Sequence, residues 1–253
     1  MTKAQKLFSH LFWDSIQRWG VIHSFRRVGL AGIPAASNRV ERESRLLARK
    51  FTHSPEWAHL FKDRARFRDE GGEAMAARTL VERALTDFHG ALDAATIVFA
   101  HSILDDLALD ACHVTMLQAP RDWAPFFSKR KVELADVENQ THDQLLSKML
   151  ADHLEVLDRK SLLAKLEHLT ALCRPPPNFE GVKGFRLDQK RLVALDNLRH
   201  RIVHDGAIEA IPSIDEDLEF MGDVSRTFVA LIHHRYGLQV DPRAFPTSST
   251  SPE

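Results

Sequence analysis

Cysteine is scarce in this chain: Cys112 and Cys173 are the only two in 253 residues. That is too few for a disulfide framework and points to a reducing, cytoplasmic setting. Long apolar runs free of charge are missing as well. The most apolar stretch, Ala94 to Ala111, contains His101, Asp105, Asp106 and Asp110, a density of charge too costly for a bilayer-spanning helix. Near the N-terminus, Lys3, Lys6 and His10 interrupt the apolar positions that a secretory leader requires. No membrane partner is expected. The chain also has no glycine-rich phosphate loop, no internal repeat and no series of alternating segments that would read as strands.

What is present is ordinary in amount and uneven in placement. The apolar content is 44% and the charged content 27%, enough for a sizeable core. The net charge of −1 hides an asymmetry, since residues 1 to 68 hold 14 Lys and Arg against 5 Asp and Glu, and the remainder 20 against 30. Clustered arginines attract phosphate backbones by releasing counterions, so Arg42, Arg45 and Arg49 of this basic quarter are candidate RNA contacts. The same charges also suit a solvated face, or an arm lying against the acidic remainder.

Periodicity predicts an all-α protein. Leu7, Phe8, Leu11, Phe12, Ile16 and Trp19 recur at three- and four-residue spacing, the mark of an amphipathic helix. Gly29 to Ser37, with Gly32 and Pro34, reads as a loop before a second helix over 39–51, and Ser54-Pro55-Glu56 as a further helix start. Gly71-Gly72 is the best internal boundary, dividing a basic helical extension (1–70) from a helical domain (73–240) and a Pro-, Ser- and Thr-rich tail (241–253) expected to be disordered. Within the domain, helices are predicted over 73–117, 140–157, 159–173 and 187–203, with Gly206 as a left-handed terminus. Ser213 and Glu216, at capping-box spacing, open a last helix to Tyr236.

The segment Asp196-Asn-Leu-Arg-His-Arg-Ile-Val-His-Asp-Gly206 concentrates the chemistry. Residues four apart share a helical face, so His200 and His204 point alike, with Arg199 one step round from His200. Arginine offers a rigid fork of donors to a phosphate, and histidine exchanges protons near neutrality. Together they can work on a 2′-hydroxyl and on the charge growing at phosphorus without a metal. The plainer alternatives are an ion-paired Arg199 and a His204 that interacts with the helix-end carbonyls. His200 and His204 also have the spacing of two zinc ligands, with His168, His101 or Asp223 as possible third members. Cys112-His113, Cys173 and His233-His234 sit at helix ends, where inert or dipole-stabilised groups are common. Trp13, Trp19, Trp57 and Trp123 are read mainly as anchors of the core or of an interface.

In order and context, Leu198-Arg199-His200-Arg201-Ile202-Val203-His204-Asp205-Gly206 resembles the Arg-to-His motif of the HEPN family of helical domains. Lys160 to Leu169 looks like the family's helix that leads into the motif, and Phe99 to Leu107 like its first long helix. The likeness covers about residues 75 to 238. It implies a HEPN-like helical bundle, preceded here by the basic extension, that forms a homodimer in which two motifs face each other across one RNA site. It further implies a metal-independent ribonuclease of toxin, antiviral or stress-response type, without a cofactor, with an antitoxin or sensor protein as a possible partner. Arg199 would then hold the scissile phosphate and His204 move protons, with Arg201 as a further RNA contact. His200 stands where the family usually has Asn, which can preserve the phosphate contact, add a second acid or base, or mark a member without activity. The alternative implied by the family is a non-catalytic module that binds RNA, nucleotide or a partner protein. Asp105, Asp106 and Asp110 lie on the neighbouring long helix as candidates to hold Arg199 or His204.

Overall fold

A computed structural model of the protein describes residues 1–53, 72–127, 140–174, 187–206 and 211–244. These form α1 (Lys3–His53), α2 (Gly72–Gln118), a 3-10 turn (Pro120–Trp123), α3 (Ala124–Phe127), α4 (His142–Asp158), α5 (Leu162–Cys173), α6 (Gln189–Asp205), α7 (Ile214–Tyr236) and a closing 3-10 turn (Pro242–Ala244). No strand occurs among the described residues, so the protein is all-α. By contacts the chain forms two compact units. The first comprises Met1–Val21, Phe99–His200 and Asp215–Glu253, and the second Ile22–Val98 and Arg201–Ile214.

The core of the first unit follows the helical repeat. On α2, Ala100, Leu104, Leu107, Ala111 and Val114 are buried at three- and four-residue steps; on α5, Leu162, Leu166 and Leu169; on α7, Leu218, Met221, Val224, Phe228, Leu231 and Ile232. Phe8 and Leu11 of α1 and Trp123 of the 3-10 turn are also buried. Each such side chain contributes about 1.5–3 kcal/mol relative to exposure. Trp123 meets the cost of burying its indole N–H by donating to Thr115 Oγ1 at 3.2 Å. On α6 the covered face is narrow: Leu192 and Leu195 are buried while Ala194 is exposed.

Local signals set the helix ends. Thr141 caps α4 in a reciprocal pair, accepting from the Gln144 amide at 3.3 Å while the Gln144 side chain accepts from the Thr141 amide at 2.9 Å. Ser161 caps α5 by accepting from the Ala164 amide at 3.4 Å. Gly206 follows α6 with φ 64°, left-handed backbone that favours glycine.

The expected loop at 29–37 does not exist: α1 runs without a break through Pro34. In the second unit, a Cβ placed on Gly29 would lie 2.8 Å from both δ-carbons of Leu92, so Gly29 serves the close approach of α1 to α2 rather than a turn. Arg26 Nε lies 3.4 Å from Asp93 Oδ1 along the same contact, with both side chains largely covered. Packing of this kind outweighs the amide hydrogen bond that proline removes. Likewise α2 passes through Gly90 as continuous helix. Ser54-Pro55-Glu56, Trp57, Gly71 and the last residues of the tail lie outside the described residues.

Candidate functional site

A cluster of charged groups in the first unit is built by one turn of α2, the N-terminus of α5 and the middle of α6. His101, Ser102, Asp105, Asp106, Lys160, Ser161, Leu162, Asp196 and Arg199 line a cavity of about 210 Å3 there. The α2 stripe of Ala100, Leu104 and Leu107 faces the core, which turns Asp105 and Asp106 toward its margin. On α6, Asp196 and Arg199 are three residues apart and therefore neighbours on one face.

Two of the three carboxylates are committed to cations. Lys165 Nζ donates to Asp105 Oδ1 at 2.8 Å, and its side chain is 1% exposed. Lys165 occupies the apolar stripe of α5 between Leu162 and Leu166, where an unpaired ammonium would carry a heavy desolvation cost. Arg18 Nη1 donates to Asp106 Oδ2 at 3.2 Å in an exposed pair. Asp105 and Asp106, candidates with Asp110 to hold Arg199 or His204, thus have ion-pair partners on α5 and α1.

His101 is the least exposed polar member of the cavity wall, with 6% of its side chain accessible. Its Nε2 lies 3.3 Å from Asp196 Oδ1, an ion-pair distance, yet the angle is not that of a hydrogen bond and Nε2 has no hydrogen-bond partner among the described residues. Burial lowers its pKa; Asp196 and Asp105 oppose the shift, and Arg199 and Lys165 reinforce it. His101 is therefore a neutral imidazole at pH 7, beside a carboxylate that would favour its protonation. Arg199 is half-buried, and its Nε is enclosed without a hydrogen-bond partner among the described residues. Unlike His101, a guanidinium cannot relieve that state by losing a proton.

Of the catalytic and RNA-contact residues expected from the sequence, Arg199 alone lines this cavity, beside Asp105 and Asp106, which the sequence offered as groups to hold it, and His101, which it offered as a metal ligand. His200 is exposed on α6. Arg201 and His204 belong to the second unit, both exposed. In that unit Arg42, Arg45 and Arg49 are exposed on α1, with Arg45 paired to Glu41 one turn earlier. Sequence reasoning missed Lys160, Lys165 and Asp196, and considered His101 only as a metal ligand. A lysine at core spacing in α5 is the signal that was available, because a buried ammonium demands a carboxylate.

Among the described residues no three His, Cys, Asp or Glu side chains converge as ligands for a metal. Two of the candidate third ligands are engaged elsewhere. The ring of His168 stacks on Trp123 at 6.1 Å and contacts Phe126 at 4.6 Å, and Asp223 pairs with Arg226. Cys112 and Cys173 are buried free thiols; burial pushes both pKa values up, that of Cys173 to about 12, so neither supplies thiolate at neutral pH. Among the described residues no helix is long and apolar enough to cross a membrane. No protein-family model, no curated protein and no solved structure matches the chain.

Proposed function

We propose that the protein is a metal-independent RNA endonuclease of the HEPN type. Arg199 binds the scissile phosphate, His204 transfers the proton and His200 makes an auxiliary contact. The observation that carries this reading is the enclosed, unpartnered Nε of Arg199 on the wall of an open cavity. A buried donor without an acceptor costs about 1–3 kcal/mol, a cost that a phosphate oxygen removes. The exposure of His200 and His204 suits groups that must reach a strand in solvent.

Helical geometry supports assembly as a homodimer. At 3.6 residues per turn, positions five apart diverge by about 140° around the axis, so an Arg199 and a His204 from two facing copies reach one phosphodiester with less bending of the side chains than a pair from one α6. Two copies facing each other supply an arginine from one and a histidine from the other. In the step, an imidazole takes the 2′-hydroxyl proton, the O2′–P bond forms and the P–O5′ bond breaks. The leaving oxygen then receives a proton from the imidazolium so formed. A 2′,3′-cyclic phosphate and a 5′-hydroxyl result, and the guanidinium stabilises the charge on phosphorus. A cytoplasmic toxin or defence role, with an antitoxin or sensor as partner, belongs to the same reading. Arg201, Arg42, Arg45 and Arg49 then extend the path of the strand.

The test is RNA degradation with chelator present, comparing wild type with Arg199→Ala and His204→Ala at matched melting temperature. Loss of a group that stabilises transition-state charge lowers the rate by about 10²- to 10³-fold, and both variants should fall that far. Equal cleavage by all three proteins would overturn the proposal. A second reading, a non-catalytic binding module, is favoured by the three acids beside Arg199. It predicts RNA retention without cleavage, weakened by Arg199→Ala.

A further inference from the structure

We propose that the cavity at the N-terminus of α5 is an oxyanion site for a single phosphate group, held by Arg199, Lys160 and the amide end of that helix. The inference rests on the preceding reading only in taking Arg199 as a phosphate ligand; it requires neither cleavage nor a second copy of the chain.

Three independent features meet there. First, α5 is a 12-residue helix whose capping residue Ser161, with Leu162 and Lys160, lines the cavity. Its first-turn amides carry the positive end of the helix dipole, which makes such an end an anion site when cations accompany it. Ser161 Oγ satisfies the Ala164 amide, whereas those of Leu162 and Leu163 have no acceptor among the described residues. Second, two side chains on the wall hold buried nitrogens without hydrogen-bond partners among the described residues, His101 Nε2 and Arg199 Nε, and His101 is more than nine-tenths covered. Both can donate to an oxyanion, His101 in the tautomer that carries its proton on Nε2.

Third, the charges do not cancel. Asp105 is matched by Lys165 at 2.8 Å and Asp106 by Arg18 at 3.2 Å. Arg199 and Lys160 have no carboxylate partner among the described residues, and only Asp196, half in solvent, opposes them. The balance left to a ligand is positive. A phosphate oxygen accepts from the Arg199 fork and the α5 amides, while the exposed Lys160 closes over it as a point charge.

Inorganic phosphate and, separately, a short oligoribonucleotide without terminal phosphates are titrated into the full-length protein by calorimetry, with melting temperatures recorded for each variant. Arg199→Gln and Lys160→Ala should each weaken phosphate binding at least tenfold. Lys190→Ala, an exposed cation on α6 outside the cavity, should leave it within twofold. If both probes bind and compete, the group recognised is a strand phosphate; if phosphate alone binds, it is a small phosphorylated compound. Either result supports the site. No saturable phosphate binding, or equal losses in all three variants, overturns it. The exposed Lys160 makes the result independent of any folding defect at Arg199. Cleavage of RNA without phosphate binding would reject this cavity and spare the nuclease, whereas binding without cleavage would do the reverse.

Discussion

The two units differ in how they deploy charge, although each has a covered pair between helices, Arg26 to Asp93 in the second and Lys165 to Asp105 in the first. In the first, two ion pairs join different helices under cover, Lys165 to Asp105 between α5 and α2 and Arg191 to Asp217 between α6 and α7, where Nε and Nη2 reach one oxygen at 3.1 and 2.7 Å, while others such as Arg18 to Asp106 stay exposed. In the second, most pairs bind a helix to itself across one turn in solvent, as with Arg39 and Glu43 at 3.0 Å and Arg78 and Glu82 at 2.9 Å. Covered pairs are weak evidence of net stability, but they fix geometry, because either member alone is costly. Exposed pairs within one helix do neither to a comparable degree. Preorganised chemistry therefore belongs to the first unit, and the second offers a broad, adaptable cationic face.

The sharpest way to break this comparison is Lys165→Ala, which strands the Asp105 carboxylate and removes a fully covered stem. It should lower unfolding free energy in urea by about 3–5 kcal/mol; a change no larger than that of Arg39→Ala would show that the two kinds of pair are equivalent. Next in size is Gly29→Ala, whose new methyl meets Leu92 at 2.8 Å. A loss of about 1–3 kcal/mol is expected, with a smaller penalty once Leu92 is also cut to Ala. At Gly32, where a Cβ meets nothing within 4 Å, the same substitution should stabilise α1 by about 0.5–1 kcal/mol.

A smaller, pH-dependent effect separates the units further. Burial lowers the pKa of His101 below 6.5, so between that value and the folded pKa the unfolded chain binds more protons. Stability then declines as pH falls through this window and is retained above it. His113, lowered by burial and by Lys3, adds the same sign. His101→Gln should flatten the dependence between pH 7 and 5 in melting curves; an unchanged slope would exclude His101 as its source.

Much of the fold is legible in the chain. The repeats of α5 and α7, the caps at Thr141 and Ser161, and the glycine after α6 all speak through neighbours within one or two turns. Gly29 and Pro34 misled for the same reason: a local reading takes them as breakers, while the contact with Leu92 is made with α2, far along the chain. The candidate site was half visible. Arg199 stood out from its company with His200 and His204, but the wall around it joins groups of three helices, among them His101, Ser161 and Asp196, and Asp105 on that wall pairs with Lys165, 60 positions further on. Only a core lysine hinted at such a partner, and nothing in the spacing said which acid it would choose.

That lysine and its acid carry a historical consequence. A chain that keeps one letter of the couple is worse off than a chain that has both or neither, so drift at position 165 is barred unless position 105 changes with it. Divergent copies of this gene should thus switch the two sites together, to an apolar couple or to a reversed one. Such linked changes offer a fingerprint for distant kin where overall similarity has faded.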